Sequence, residues 1–251
     1  MSGQTTPESV LSQIPGWEAA SWRELDDCVT NRPYLVEASG RRAVLKIDQV
    51  QRDAPFNSRQ KEAQIQCAAQ KVGLAANVVY VSDTVLMTEY IDGVMWSPDC
   101  LDDNANLESL ASALKKLHSL PLTGRIFNAL GSAREYAKII DESQAQKVNE
   151  CLAKIEGGPR PHNLCCCHND LVLANIINTP ETRFLDWEYA CDNDPFFDLA
   201  TIVAHNELTQ EQSDYFLDAY FEGDGIRWRE QLERQTDVYD ALLWLWEQSR
   251  G

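Results

Sequence analysis

The periodicity of the apolar residues changes once along the chain, and this change constrains the fold more than any other feature. Before it, short runs of β-prone residues alternate with turn formers and with one helix-forming stretch, 59–72. After it, apolar residues recur every three or four positions, most clearly over 107–120, which indicates helices with one buried face. The sequence therefore predicts an α+β protein with two domains, 1–92 and 93–251.

The N-terminal domain is predicted to be a small antiparallel sheet with one helix. Its strand-like runs are 34–37, 43–47, 78–81 and 85–90. The helix is bounded by Ser58, a good N-cap residue, and by Gly73, which suits the position after a helix. The predicted order of elements is β-β-α-β-β.

The C-terminal domain is predicted to be mainly helical. Helices are expected over 107–120, 133–155, 195–206 and 227–248, and over a further segment that Thr209 and Gln212 begin as a capping box. Three short strands, 164–167, 175–177 and 183–185, are expected between the second and third of these helices. His118 lies on the apolar face of the first helix and is interpreted as a core histidine.

The chain is strongly acidic. Its 22 Lys and Arg residues against 39 Asp and Glu residues give a formal charge of −17. That charge repels the phosphate backbone of nucleic acid and the surface of an anionic membrane, so neither is expected as a partner. It attracts cations instead, including a cationic substrate or the magnesium form of a nucleotide.

The sequence has neither a signal-peptide pattern at its start nor an apolar run long enough to span a bilayer, so a cytosolic protein is expected. Its eight cysteines include no C-x-x-C pair of the kind that binds zinc. Cys165, Cys166 and Cys167 are consecutive in an apolar segment and are interpreted as small buried residues of a strand. Reduced thiols fit a cytosolic location.

A loop between two of the predicted short strands carries the residues with the clearest chemical meaning. Asp170 and Asn175 are five residues apart in it, and Asp186 follows eleven residues later, after another strand. Phosphoryl transfer needs a carboxylate that orients the acceptor hydroxyl and takes its proton, and an amide oxygen and second carboxylate that hold magnesium. We therefore expect Asp170 to be catalytic, and Asn175 and Asp186 to be magnesium ligands.

These residues lie in strings that resemble the motifs of one family. The strings are His168-Asn169-Asp170, Asn175, Asp186-Trp187-Glu188-Tyr189-Ala190, Asn193-Asp194-Pro195 and Phe197-Asp198-Leu199-Ala200. They are similar to the motifs of the choline kinase and aminoglycoside phosphotransferase family, and most of all to its choline, ethanolamine and thiamine kinases. The resemblance implies a protein-kinase-like bilobal fold, with ATP between a small lobe and a larger helical lobe, and a small alcohol as phosphate acceptor.

The resemblance extends more weakly to the N-terminal domain. Lys46 falls where the family keeps a basic residue that reaches the nucleotide phosphates. A Lys on a strand and a Glu on the next helix can pair, so Glu62 is expected to steady Lys46. The segment 87–93 resembles the interlobe hinge, which implies that backbone groups of Glu89 and Ile91 contact adenine.

Aromatic and acidic side chains are concentrated in the last third of the chain. Aromatic faces with nearby carboxylates suit a cationic alcohol, because cation–π attraction contributes up to about 2 kcal/mol when the cation is desolvated. We expect Glu188, Trp187 and Trp246 to contact the acceptor. Most of the other aromatic residues are interpreted as core.

The sequence thus predicts an enzyme that moves the γ-phosphate of ATP, with magnesium, to the hydroxyl of choline, ethanolamine, thiamine or a similar small molecule. Two alternatives remain open. One is an aminoglycoside or sugar kinase, since acidic pockets also attract polyamines. The other is a nucleotide-binding pseudoenzyme with a regulatory role. Its support is the turn before the segment 31–36, a motif that resembles a strand of the family. In that turn Asp26 and Asp27 would oppose a phosphate by like charge.

Overall fold

The structure is a computed structural model that describes residues 5–25, 33–49, 52, 56–161 and 163–250. It divides into two compact units, the first comprising Met1–Val94 with Leu185–Tyr189 and the second comprising Met95–Phe184 with Ala190–Gly251. The predicted α+β class is confirmed. The predicted boundary at residue 92 places residues 185–189 in the second domain, whereas the chain returns to the first compact unit at these residues.

A five-stranded antiparallel sheet forms the body of the first unit. Its strands are β1 (Ser21–Glu24), β2 (Pro33–Ala38), β3 (Arg41–Ile47), β4 (Val78–Val81) and β5 (Val85–Glu89), in the order β1-β2-β3-β5-β4. Ser39 and Gly40 make the β2–β3 turn, and both have the positive φ that a tight hairpin requires. The central strand, β3, places Lys46 opposite Pro33 on one side and Leu86 on the other.

Two helices accompany this sheet, α1 (Pro7–Leu11) and α2 (Arg59–Gln70). Helix α2 begins as predicted, because the Ser58 side chain accepts a hydrogen bond from the Lys61 N–H. Gly73 follows it with a φ of 82°. The predicted order of elements omitted α1 and β1, and α1 contributes Val10 and Leu11 to the apolar core on the sheet.

The described part of the second unit is mainly helical, as predicted. Its helices are α3 (Asn104–His118), α4 (Ala129–Ala137), α5 (Ala145–Glu156), α6 (Pro195–Ala200), α7 (Gln210–Tyr220) and α8 (Arg229–Gln248). Helix α3 packs on α7, and α8 packs on α5 and α6. Leu110 and Leu114 of α3 are fully buried, and each such burial contributes about 1.5–3 kcal/mol.

The prediction of one helix over 133–155 was wrong. Helix α4 ends at Ala137 and α5 begins at Ala145. Between them the Asp141 side chain accepts a hydrogen bond from the Ser143 N–H at 2.9 Å. Such a contact competes with the helical backbone pattern and starts a new turn. The predicted capping box of Thr209 and Gln212 is present at the start of α7.

Short strands position the loop that carries Asp170. They are β6 (Val94–Met95), β7 (Cys165–Cys167), β8 (Ile176–Thr179), β9 (Glu181–Phe184) and β10 (Cys191–Asn193). Strands β8 and β9 form a hairpin, and β7 pairs with β10, which was not predicted. The segment 168–175 therefore joins β7 to β8, and each of these strands is paired with a different strand. No helix in the described ranges has the length and apolar character needed to cross a bilayer.

Candidate active site

Lys46 places its ammonium group beside two carboxylates of the first unit. Its Nζ lies 2.8 Å from Asp186 Oδ1 and 3.9 Å from Glu62 Oε1. Burial lowers the pKa of Lys46, but the charges of Asp186, Glu62 and Glu188 outweigh this effect and leave the pKa above its usual value. Lys46 is thus a partly buried, permanent cation whose position is set by carboxylates.

Glu62 is held in place by a second cation. Its Oε2 accepts a hydrogen bond of 2.7 Å from Nη1 of Arg59, one turn earlier on α2. The same fully buried Arg59 makes hydrogen bonds of 2.8 and 2.7 Å to the two oxygens of Asp48. Burial raises the pKa of Glu62 while Lys46 and Arg59 oppose that shift. The sequence identified Glu62 but not Arg59, which binds Glu62 through Nη1 and Asp48 through its other two nitrogens.

The segment 185–189 is attached to this cluster by polar contacts within the first unit. Arg52 places Nη1 2.7 Å from Glu188 Oε2 and Nε 2.9 Å from Asp48 Oδ1. The backbone N–H of Asn57 donates to the Glu188 carbonyl at 2.8 Å. Trp187 and Glu188, both expected at the acceptor, are almost fully buried. Their contact with an acceptor stays a prediction.

Two of the motif residues adopt the left-handed backbone conformation. Asn169 has a φ of 64° and Asp186 a φ of 59°. Asn and Asp tolerate this region better than other non-glycine residues, and such conformations cluster at functional sites. Asn169 directly precedes Asp170. Of the two predicted acidic site residues, Asp186 therefore has this conformation itself and Asp170 follows a residue that has it.

The predicted hinge residues follow the central part of the sheet. Glu89 ends β5, where its N–H donates to the Asn77 carbonyl at 2.8 Å. The N–H of Tyr90 donates to the Arg42 carbonyl at 3.0 Å. Ile91 lies beyond the strand, and its N–H has no hydrogen-bond partner among the residues that the structure describes. That donor is available to a ligand.

In the second unit, Asp170 and Asn175 are in direct contact. The Asn175 Nδ2 donates to the Asp170 carboxylate at 2.9 Å and to its main-chain carbonyl at 2.8 Å. A short 3-10 turn, Leu173–Asn175, brings the amide back toward Asp170. Because the nitrogen of the amide group faces Asp170, the oxygen of that group points away from it.

Asp198 anchors the chain just before Asp170. Its carboxylate is fully buried on α6 and accepts the N–H of Asn169 at 2.7 Å and that of His168 at 2.9 Å. The side chain of Asn193 donates to Asn169 Oδ1 at 2.7 Å. These positioning contacts were not predicted. The available signal was an acid, Asp198, inside the otherwise apolar string 196–200.

The remaining predictions concern the aromatic residues and the acidic turn. Trp246 is half-buried on α8, with the guanidinium carbon of Arg250 4.7 Å from its ring centre. Phe216 is fully buried, which agrees with its interpretation as core. The acidic turn of Asp26 and Asp27 and residues 31–32 of the strand motif lie outside the described residues.

The comparison with protein families identifies the class to which this fold and these motifs belong. The model of the phosphotransferase enzyme family matches residues 21–239, which is most of the chain. The chain belongs to that family, and the predicted resemblance and protein-kinase-like fold are confirmed. It is an enzyme of the small-molecule kinase type.

Its relatives include a thiamine kinase, and the solved structures similar to it include a choline kinase. Protein LicA of Haemophilus influenzae is 28% identical over 205 residues, which are 76% of this chain and 76% of that protein. A thiamine kinase of Salmonella typhi is 29% identical over 155 residues, 59% of this chain and 52% of its own length. The solved structure of choline kinase LicA from Streptococcus pneumoniae has a TM-score of 0.79 at 21% identity, covering 97% of this chain and 89% of that one.

Proposed function

We propose that the protein transfers the γ-phosphate of ATP to the hydroxyl of a small cationic alcohol of the choline, ethanolamine or thiamine type. The observation that carries the proposal is the contact between Asp170 and Asn175. It presents one carboxylate and one amide oxygen from a single anchored loop. Phosphoryl transfer depends mainly on such positioning and on electrostatic stabilisation.

Asp170 orients the acceptor hydroxyl and takes its proton as the phosphoryl group is transferred. The hydrogen bond from Asn175 supports this role because it fixes the direction of the carboxylate. A carboxylate held in one direction is what a hydroxyl needs from a base. Asp198 and Asn193 act on Asp170 indirectly, through the backbone and side chain of Asn169.

Lys46 neutralises the nucleotide phosphates and Glu62 keeps it in position. The support is the pair of ionic contacts around Lys46 and the buried arms of Arg59 behind Glu62. Backbone groups of Glu89 and Ile91 bind adenine. The unpartnered N–H of Ile91 in the described structure suits that role.

Magnesium is the metal that fits the proposed ligands. Asn175 and Asp186 offer an amide oxygen and a carboxylate, and such hard oxygen donors bind magnesium together with water and phosphate. Bound magnesium would neutralise charge on the nucleotide phosphates. Within the protein, Asn175 contributes by turning its amide oxygen away from Asp170, and Asp186 by a backbone conformation that Lys46 helps to hold.

The preference for a cationic acceptor is supported by charge and by the relatives. A formal charge of −17 concentrates cations around the protein. Trp246 would contact the ammonium or thiazolium group of the acceptor. Trp187 and Glu188, which the sequence also predicts at the acceptor, would contact it as well. The same acidity favours a second candidate function, phosphorylation of a polyamine such as an aminoglycoside. We further propose a cytosolic location, which the free thiols of the described cysteines support.

A substrate panel separates these functions. ADP release would be measured with magnesium-ATP and choline, ethanolamine, thiamine, a neutral sugar or an aminoglycoside. Release that depends on a small cationic alcohol supports the proposal, and release only with an aminoglycoside supports the second candidate. ATP binding without turnover of any acceptor would indicate the pseudoenzyme.

A further inference from the structure

The second unit brings one imidazole and two thiols together at a place that the proposed reaction does not use. A ring nitrogen of His118 and the sulfur atoms of Cys165 and Cys167 all lie within 4.8 Å of one another. Cys165 and Cys167 alternate along β7, so their side chains leave the same face of the strand. His118 reaches them from the end of α3. Sequence reasoning interpreted all three as core, because the histidine is distant in the chain.

We propose that His118, Cys165 and Cys167 form a binding site for a thiophilic divalent cation of the zinc type. The two sulfur atoms are 3.5 Å apart. Two thiolates bound to one tetrahedral zinc at 2.3 Å are about 3.8 Å apart, so little movement is needed. Two thiolates and an imidazole are the soft and intermediate ligands that zinc selects over magnesium.

Binding of an ion would replace weak hydrogen bonds of the two sulfur atoms. Both thiols donate weakly to the Asn193 carbonyl, each at 3.7 Å. Binding of the ion replaces the two S–H protons, which pass to solvent, and the two thiolates then balance the double positive charge. Cys167 is buried and Cys165 is partly exposed, so the ion enters on the side of Cys165.

His118 already has the outer partner that a metal-bound histidine needs. Its Nε2 lies 3.1 Å from Asp198 Oδ2, and an N–H donated there leaves the lone pair on Nδ1. Nδ1 is now 2.6 Å from the Tyr220 hydroxyl. The Tyr220 hydroxyl turns aside when the ion binds.

The test is a cobalt titration of the full chain, reduced and without oxygen, followed by displacement with zinc. We expect one ion per chain and a thiolate-to-cobalt charge-transfer band, which a magnesium site of oxygen ligands cannot produce. Cys165→Ser should remove stoichiometric binding, while Cys67→Ser, at an exposed cysteine of the first unit, should keep it. Asp198→Asn should weaken binding about 10- to 100-fold, as expected for an outer partner.

A second readout uses the unaltered protein, so that a misfolded variant cannot decide the result. Zinc should protect Cys165 from alkylation, as mapped by mass spectrometry, and should leave the reaction of Cys67 unchanged. The absence of a charge-transfer band, equal alkylation of Cys165 with and without zinc, or full binding by folded Cys165→Ser would each overturn the proposal.

Discussion

The ammonium group of Lys46 lies closer to Asp186, at 2.8 Å, than to Glu62, at 3.9 Å. Asp186 also has a positive φ, whereas Glu62 is fixed from behind by Arg59. The two carboxylates therefore have different roles beside Lys46. Glu62 is a rigid support for Lys46, and Asp186 is a partner on a short returning segment. A bound phosphate would take over part of the charge that Lys46 now shares with Asp186.

Replacement of Lys46 by Gln should disable nucleotide use. The change removes the cation proposed for the phosphates and leaves two carboxylates facing each other. We expect the rate at fixed ATP to fall about 100-fold or more, as when a preorganised charge-stabilising group is lost. The matched control is Lys71→Gln at an exposed position of the same unit. Equal rates for the two variants would contradict the role of Lys46.

Arg59→Met should destabilise the first unit. Arg59 is fully buried and binds both Asp48 and Glu62, so its loss removes one cationic partner from each of two buried carboxylates and leaves them Arg52 and Lys46. We expect the free energy of unfolding to fall by about 3–5 kcal/mol in a urea titration. Arg59→Lys should also destabilise, because an ammonium cannot make the two-pronged contact with Asp48. Arg23→Lys, at an exposed strand position, should change the free energy of unfolding by less than about 0.5 kcal/mol.

Asp198→Asn should lower turnover through the loop that carries Asp170. The Asp198 carboxylate accepts hydrogen bonds from two backbone N–H groups, and the new amide would turn its own NH₂ group toward one of them. The loss of that hydrogen bond to a charged group costs about 1.5–3 kcal/mol. We expect kcat to fall while KM for ATP changes little. The control is Asp214→Asn, which alters a partly exposed pair with Arg229 worth about 0–1 kcal/mol. Unchanged kcat in a folded Asp198→Asn protein would refute the positioning role.

His205 should make the protein less stable in acid. Burial lowers the pKa of His205 below its ordinary 6.5. The folded state then binds the proton less readily than the unfolded state, so stability falls as the pH drops below about 6.5 and is unaffected above it. NMR titration of the imidazole should give the lowered pKa. His205→Gln should weaken the acid dependence of unfolding, and an unaltered dependence would argue against this origin.

Local signals in the sequence predicted much of the fold. Ser58 and Gly73 mark the ends of α2, and Thr209 with Gln212 marks the start of α7, because caps are satisfied by residues a few positions away. The break between α4 and α5 was missed. Residues that favour helices continue through this break, and only the turn that Asp141 caps interrupts the helical pattern of the sequence.

The sequence predicted a contact where both residues lie in one short segment. Asp170 and Asn175 were expected to converge and are in direct contact, while their roles in the reaction stay a prediction. Asp198 and Arg52 were not assigned partners, because their contacts join residues 30 and 136 positions apart. Those pairings depend on how strands and helices pack, which no local pattern specifies. The approach of His118 to β7 was missed for the same reason.

The role proposed for Asp170 is to activate the acceptor hydroxyl. The most direct measurement is kcat for ADP release with magnesium-ATP and the best acceptor, for the unaltered protein, Asp170→Asn and the exposed control Asp99→Asn. We expect Asp170→Asn to lower kcat by about 10²–10⁴-fold, with little change in KM for ATP and an unchanged circular dichroism spectrum. Asp99→Asn should retain full activity. A folded Asp170→Asn protein with the turnover of the unaltered enzyme would contradict the catalytic role of Asp170.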